Sequence, residues 1–318
     1  MAKILACDFG GTKLTAGIID LGGNQWLGKE RIYTQRGLPG EGELRLMFAL
    51  AERVLAGRKP AAIGISFGGP VDYDRQLVRR SDHVPGWEGV PLVDIFAERF
   101  SAPALMDNDA NVAALGEYVY GAGRGCRTLL YVTVSTGVGG GWIMNGEVWR
   151  GARSMAGEIG HIVVDPAGPR CLCGKNGCVE RFASGPYMAQ DAVEELKKHP
   201  EAGEILQRTI CEYGAGGEAV SRAAADGDSL AQEILLRGAR ALGLGLGNAA
   251  NLIDPERIVL GGGVTGSGAS WWEMVRQTAQ ATMLADLQVS IVPAGLADEA
   301  PLWGAVVMAQ QLMDRKHS

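Results

Sequence analysis

Several short stretches carry residue types whose spacing suits phosphoryl or metal chemistry. Asp8-Phe9-Gly10-Gly11-Thr12-Lys13 sets a carboxylate at the end of an apolar run. The turn that follows has glycine N–H groups that can approach an anion with no Cβ in the way. Asp8 suits a Mg²⁺ held through water, and Thr12 can donate to a phosphate oxygen. The same residues also suit an ordinary glycine turn in a hairpin. No Gly-x-x-x-x-Gly-Lys-Ser/Thr stands near them, so this is not a Walker A loop. Ser135-Thr136-Gly137-Val138-Gly139-Gly140-Gly141 offers hydroxyls and N–H groups for a second phosphate site. Its Gly137-x-Gly139 opens no helix, which argues against a dinucleotide fingerprint. A third glycine cluster, Gly261-Gly262-Gly263, ends the apolar run Arg257–Leu260.

Asn108-Asp109 falls where a short strand meets the start of a helix. A carboxylate there is placed to take a proton from a substrate hydroxyl while the adjacent amide orients that alcohol. Helix N-capping is the plainer use of the same pair. His161-x9-Cys171-x-Cys173-x4-Cys178 supplies one imidazole and three thiolates, the ligand count of a closed tetrahedral zinc site. Gly168, Pro169, Gly174 and Gly177 let that loop fold onto an ion. With no open position for a water nucleophile, the metal reads as structural, a staple beside Glu158 and Glu180. Those two carboxylates can accept bonds from ligand hydroxyls, or simply face solvent. Buried free thiols are the alternative for the cluster, and the scattered Cys7, Cys126 and Cys211 read as core or surface thiols. His83 and Trp87 sit in a loop that suits a pocket wall, although a loop histidine is usually inert, and His199 and His317 carry no signal.

These residues need strands and helices to hold them. Ile4–Phe9, the Gly10-Gly11-Thr12 turn and Leu14–Leu21 read as a hairpin, with a second turn at Gly22-Gly23-Asn24. A helix is predicted over Glu43–Leu55, and a strand over Ala61–Phe67, stopped by Gly68-Gly69-Pro70. Ala104–Met106 leads through Asp107-Asn108-Asp109 into a helix over Ala110–Val119. A glycine-rich hinge at Gly121–Gly125 opens a second half. It contains strand Thr128–Val134, a glycine loop over Ser135–Gly141, strand Gly141–Asn145 and helices Pro186–Lys198 and Ser229–Ile253. Strand Arg257–Leu260, a helix near Ser270–Leu284, strand Val289–Pro293 and a final helix from Pro301 complete it. Alternating strands and helices argue an α/β fold. The two glycine turns between strands echo one another, which suggests related halves around a cleft.

The chain has 318 residues, 47% of them hydrophobic, enough for about two domains with cores of their own. A net charge of −6 without a long Lys/Arg run makes nucleic acid an unexpected partner. The most apolar stretch, Ala241–Ile253, is interrupted by Asn248 and Asn251 and falls short of the ~20 residues of a membrane span. Neither membrane association nor a signal peptide is expected, and the location is expected to be cytoplasmic. Forty-seven glycines, about twice the ~7% average share, cluster in the loops above rather than scattering.

In order along nearly the whole chain, the motifs resemble those of the ROK family of sugar kinases and repressors. They are Asp8-Phe-Gly-Gly-Thr12, Gly68-Gly69-Pro70, Asn108-Asp109-Ala110, Thr136-Gly137-Val138-Gly139, Glu158-Ile-Gly160-His161, Cys171-x-Cys173-Gly174-x-x-Gly177-Cys178-x-Glu180 and Gly261-Gly262-Gly263. The Glu-x-Gly-His and cysteine-loop combination is the most specific part. The resemblance implies an actin-like ATPase (ribonuclease H-like) fold, with two domains around a nucleotide and sugar cleft. Residues 1–120 would form a small domain completed by the C-terminal helix 301–318, and 121–300 a large domain carrying a zinc loop at 161–180.

It implies ATP, Mg²⁺ and a structural Zn²⁺, and phosphorylation of the 6-hydroxyl of a hexose. Asp109 would be the general base. Gly69, Asn108, Glu158, His161 and Glu180 would meet the sugar, with His161 using one ring nitrogen for zinc and the other for the hexose. Asp8, Gly10, Gly11, Thr12, Lys13, Thr136 and Gly137 would serve phosphate and Mg²⁺, and Gly261, Gly262 and Gly263 the adenosine end. A homodimer or homotetramer is the assembly implied. Glucose is the favoured hexose, ahead of N-acetylglucosamine, N-acetylmannosamine, mannose and fructose. A sugar-sensing regulator without turnover is the reading from another class, and a chaperone-type ATPase a third. Family repressors carry an N-terminal DNA-reading segment, whereas here the kinase pattern begins at residue 4. The one departure from the pattern is Ser66-Phe67 before Gly68, which leaves the shape of the pocket lip open.

Overall fold

A computed structural model describes residues 2–22, 25–34, 37–81, 84–199 and 201–315. Gly23 and Asn24 of the second predicted turn, His83 and His317 lie outside the described residues. Contacts divide the chain into two compact units, one of Met1–Arg127, Gly141–Ala156 and Ala294–Ser318, the other of Thr128–Gly140 and Gly157–Pro293. Among the described residues no helix is long and apolar enough to cross a membrane.

The first unit opens with β1 (Lys3–Phe9), β2 (Lys13–Asp20) and β3 (Gln25–Tyr33), then α1 (Gly40–Leu55) and β4 (Ala62–Phe67). A small β5–β6 ladder (Val71–Asp72 and Leu77–Val78), α2 (Leu92–Phe100), β7 (Ala104–Asn108) and α3 (Asp109–Val119) follow. The sheet runs β3-β2-β1-β4-β7, antiparallel among the first three strands and parallel from β1 through β4 to β7. Residues 4–9 of β1 and all of β4 are buried, the near-continuous apolar reading of strands covered on both faces. Leu5, Cys7, Ile63 and Ile65 pack with Met47, Leu50, Ala51 and Val54 of α1 on one face.

The second unit contributes β8 (Thr128–Val134) and the start of β9 (Val138–Met144), which β10 (Glu147–Trp149) follows. Helices α4 (Val179–Ala183), α5 (Gly185–Lys198), α6 (Glu204–Tyr213), α7 (Gly217–Ala225) and α8 (Ser229–Ile253) come next. Then come β11 (Arg257–Gly261), α9 (Ala269–Thr282) and β12 (Ser290–Pro293), and α10 (Ala300–Asp314) ends the fold. The second sheet is ordered β10-β9-β8-β11-β12, with β8, β11 and β12 parallel and β9 and β10 antiparallel. Counted from its own first strand, each sheet has the order 3-2-1-4-5. This repetition is the structural form of the echo between the glycine turns, and it is the actin-like ATPase architecture.

The glycine loop is shorter than the sequence suggests. Only Ser135–Gly137 form the turn, and Gly139–Gly141 belong to β9. These glycines serve close packing: a Cβ on Gly140 would lie 2.7 Å from the Gly157 carbonyl, and one on Gly141 2.5 Å from that of Ala110. Strand β3, the β5–β6 ladder, α2, β10 and helices α4, α6 and α7 carry no clear sequence signal. In β3 the reason is visible, because its half-exposed edge mixes Lys29, Glu30 and Arg31 with apolar residues.

Helix α10 lies in the first unit, where its backbone comes against α3. A Cβ on Gly304 would fall 1.7 Å from the Val112 carbonyl, and one on Gly116 2.3 Å from that of Ala300. Gly304→Ala is therefore expected to lower the melting temperature by several degrees, since overpacking costs about 1–3 kcal/mol and each kcal/mol is worth about 2–4 °C in a chain of this size. Gly266→Ala, where an added Cβ meets nothing within 4 Å, is the control. Equal melting temperatures for the two variants in thermal denaturation would contradict the close approach.

Candidate functional site

Strands β1, β4 and β7 are parallel and end together, and the register sets Asp8 level with Ser66 and Ser66 level with Asp107. The carboxyl ends of parallel strands are where ligands meet open α/β sheets. Asp8 is buried, and the Ser66 hydroxyl donates to its Oδ1 at 2.8 Å. Burial pushes Asp8 up to about 6, opposed by the Ser66 bond and by Lys13 and Arg31 and assisted by Asp298.

Asn108 and Asp109 stand at the junction of β7 and α3, and the amide does two things at once. Its Oδ1 caps α3 by accepting from the N–H groups of Ala110 (3.0 Å) and Asn111 (3.4 Å). Its Nδ2 donates to the Gly69 carbonyl at 3.1 Å and to Asp109 Oδ1 at 2.9 Å. Capping of α3 and a bond to the Asp109 carboxylate are thus made by one side chain. Asp109 Oδ1 also accepts from Ala110 N–H at 2.8 Å. Burial, then the negative charge of Asp8, push Asp109 up to about 7, against those hydrogen bonds. A carboxyl poised near neutrality is suited to general base work.

The turn after β1 is tight, with Gly10 N–H donating to the Lys13 carbonyl at 3.0 Å. Gly11 and Thr12 are exposed at its tip. Lys13 Nζ pairs with Asp298 at 2.7 Å, and Arg31 reaches the same carboxylate at 3.3 Å. Gly10, Gly11, Thr12, Lys13, Gly69, Asn108 and Asp109 are therefore gathered with Asp8 at one end of the first sheet.

In the second unit the Ser135–Gly137 turn leaves Thr136 exposed. Glu180 Oε2 accepts the Val138 N–H at 2.9 Å, and a Cβ on Gly137 would lie 2.8 Å from that same oxygen. Only glycine leaves the carboxylate its place there. Gly261 pairs in register with Thr133, and Gly262, at φ 89°, packs where a Cβ would be 2.4 Å from the Val134 carbonyl. Thr136, Gly137, Glu180 and Gly261–Gly263 thus share one end of the second sheet.

Below that end, the ligand atoms of His161, Cys171, Cys173 and Cys178 all lie within 4.8 Å of one another. Cys173 and Cys178 sulfurs are 3.5 Å apart, and Cys171 Sγ is 3.9 Å from His161 Nδ1. A tetrahedral ion with metal–sulfur bonds of about 2.3 Å separates its sulfur ligands by about 3.8 Å, so the donors fit one ion. Burial and the neighbouring thiols push Cys178 up to about 12, and burial raises Cys171. Burial works against ionisation of Cys173 too, but the Lys175 backbone N–H and the other thiols bring it down. A cation is what would let all three ionise together. The other ring nitrogen, His161 Nε2, faces Glu158 Oε2 at 3.9 Å.

Sequence reasoning passed over three residues of these sites. Ser66 is the hydrogen-bond partner of Asp8, Asp298 the partner of Lys13, and Asp107 is buried beside Asn108. Asp107 had a signal, as the first acid of Asp107-Asn108-Asp109. Asp298 had none, lying 285 residues from Lys13.

Asp8 and Asp109 hold protons more tightly folded than unfolded, where an aspartate titrates near 3.9. The stability they allow is full below about pH 4 and falls as pH rises through about 6 to 7. Asp109→Asn is expected to raise the melting temperature at pH 8, with the gain vanishing by about pH 4. A gain of equal size at both pH values would show that the charge is not its origin.

The ROK family model matches residues 4–312. A glucokinase of Halalkalibacterium halodurans is 39% identical over 233 residues, covering 71% of this chain and 69% of that protein. An N-acetylmannosamine kinase of Escherichia fergusonii is 33% identical over 307 residues, covering 96% and 98%. Among solved structures, a ROK family glucokinase of Streptomyces griseus in complex with glucose and AMPPNP superposes with a TM-score of 0.84 at 32% identity, covering 98% of this chain and 100% of that one. A family match over nearly the full length, on a fold of two repeated sheets that collects the motif residues at their strand ends, means that this protein belongs to the ROK family.

Proposed function

We propose that this chain, an ATP-dependent sugar kinase, takes glucose as its acceptor and phosphorylates the 6-hydroxyl with Asp109 as general base. The observation that carries the reading is the Asp109 carboxyl, raised to about 7 and fixed by the Asn108 amide at the start of α3. As the 6-hydroxyl oxygen attacks the γ-phosphorus of ATP, its proton passes to Asp109 and the β–γ bridging P–O bond breaks to release ADP. Asn108, backed by the Gly69 carbonyl, orients the base, and both stand beside the place of the hydroxyl. Glu158, His161 and Glu180 accept from or donate to other hydroxyls of the ring. Gly10 closes the turn by its own N–H bond to Lys13, while the N–H of Gly11, with Thr12, Lys13, Thr136 and Gly137, receives the phosphates, and Gly261–Gly263 line the adenosine end. Asp8 would hold the Mg²⁺ that accompanies ATP, which would supply charge neutralisation on the γ-phosphoryl group.

The glucokinase relative and the glucose-bound Streptomyces structure support glucose. The N-acetylmannosamine kinase relative supports an N-acetylhexosamine as the second reading. Zinc on His161 Nδ1 and the sulfurs of Cys171, Cys173 and Cys178 is part of the proposal, as a staple that orients His161 and keeps Glu158 and Glu180 beside it.

The test is ADP release from MgATP with glucose, mannose, fructose, N-acetylglucosamine and N-acetylmannosamine in turn. Glucose is expected to give the highest kcat/KM. Asp109→Asn is expected to cut kcat by ~10²-fold or more while glucose binding by calorimetry stays near normal. Because the base must be ionised, kcat/KM should fall below about pH 7. A preference for an N-acetylhexosamine would move the acceptor and keep the base. Sugar binding without turnover of any of the five would instead indicate a sensor.

Cys173→Ser is expected to lower zinc content and melting temperature together, and chelation should reproduce the loss in the unmodified protein. One zinc per chain retained by the variant in elemental analysis would refute the ligand set.

A further inference from the structure

The end of β7 is held by side chains from two segments that carry none of the motifs. Asp107 is 1% exposed. Its Oδ1 accepts the Asn108 N–H at 2.7 Å and Asn111 Nδ2 at 3.1 Å, and its Oδ2 accepts Arg150 Nε at 2.7 Å. Arg150 stands just after β10. Its guanidinium carbon lies 3.5 Å from the centroid of the Tyr73 ring, and its NH1 group donates to the Val148 carbonyl at 3.2 Å. Tyr73 belongs to the turn between β5 and β6, and its N–H donates to Ser154 Oγ at 3.3 Å. Gln76 of the same turn accepts the Met106 N–H at 2.8 Å and donates to the Met106 carbonyl at 3.2 Å. Since β7 is an edge strand, that one side-chain amide stands where a neighbouring strand would.

We infer that Arg150 is a positioning residue, which through Asp107 fixes Asn108 and so the aim of the Asp109 carboxylate. The inference rests on the reading of Asp109 as base.

The argument is one of geometry. A buried ion pair gains little net stability, because desolvation offsets much of the attraction. What a planar guanidinium does supply is direction, and Arg150 has its guanidinium over the Tyr73 ring and its Nε aimed at one carboxylate oxygen. The other oxygen is thereby left facing the Asn108 N–H and the Asn111 amide. Asn108 in turn spends both amide hydrogens, one on Gly69 and one on Asp109. Turning Asp107 would loosen the first two bonds and let the Asn108 side chain shift. Misplacing a reacting group by about 1 Å can cost ~10²-fold in rate.

The experiment compares the full-length protein with Arg150→Met, Asp107→Asn, the double variant and Arg150→Lys, with exposed Arg153→Met as a control on the same loop. Two quantities are read: amide hydrogen exchange over residues 106–111 by mass spectrometry, and kcat and KM for hexose and ATP. Arg150→Met is expected to speed exchange in 106–111 several-fold and to lower kcat by about 10- to 100-fold, with the KM for ATP within about twofold of the unmodified value. The double variant should be no worse than Asp107→Asn alone, since both act through one contact. Arg150→Lys keeps the charge without the guanidinium plane. It guards against misfolding of the methionine variant and should lose kcat while its melting temperature is kept. Unchanged exchange over 106–111, or kcat retained within about twofold, overturns the inference. If the unmodified protein phosphorylates no hexose, the base reading fails by itself. Exchange then decides alone, with acceleration confined to 106–111 supporting the positioning role and its absence refuting it.

Discussion

Helix α3 can lie where it does only because α10 meets it at backbone distance. Gly116 and Gly304 remove the two side chains that would hold the helices apart, and carbonyl groups of the opposite helix occupy the space. The first sheet shows the same device, for a Cβ on Gly64 of β4 would lie 1.8 Å from the Ala305 carbonyl. The position of α3 in the first unit is thus fixed by backbone contacts along its length. Its amino-terminal end carries Asn108 as cap and Asp109 as first residue. Three glycines that do no chemistry themselves place the helix from which that carboxylate projects.

Three aspartates crowd the same strand ends, and their surroundings separate them. Asp8 has a hydroxyl beside it and cations further out, and it settles at about 6. Asp107, the most enclosed, is raised by burial but has a guanidinium on one oxygen. Asp109 has no cation among its strongest influences, and the charge of Asp8 adds to its burial, which lifts it to about 7. Solvation and neighbours alone thus separate side chains of one type, which is what the distinct parts proposed for them require.

Much of this was legible in the residue order. The strand–turn–strand pattern around Gly10 and again around Gly137 is local, and local turn chemistry is what a sequence states most directly. The cysteine loop was legible because His161 and its three cysteines fall within 18 residues. The Asp107-Asn108-Asp109 triplet was legible in part, and only the structure divides its roles. Nothing local marked Arg150, Gln76 or Asp298, because each acts on a partner distant in the chain: 43 residues for Arg150 with Asp107 and 30 for Gln76 with Met106. The run of glycines from Gly137 to Gly141 misleads for a related reason. Turn glycines and strand glycines look alike until the neighbouring carbonyls are in place.

Glu117, on the face of α3 next to Gly116, is fully buried and accepts the N–H groups of Ala122 (2.7 Å), Gly295 (2.9 Å) and Leu296 (2.7 Å). It binds the stretch by which the chain leaves the first unit to the stretch by which it returns. On the ribosome the strands β1 to β7 and α3 emerge well before Gly295 has been synthesised, so Glu117 waits as a carboxylate without two of its donors. The amino-terminal half therefore cannot reach its final form domain by domain in the order of synthesis. It stays provisional until the last helix clears the exit tunnel, and a chain cut short before residue 294 would leave Glu117 short of two donors and α3 without α10 against it, a surface for chaperones and proteases to find.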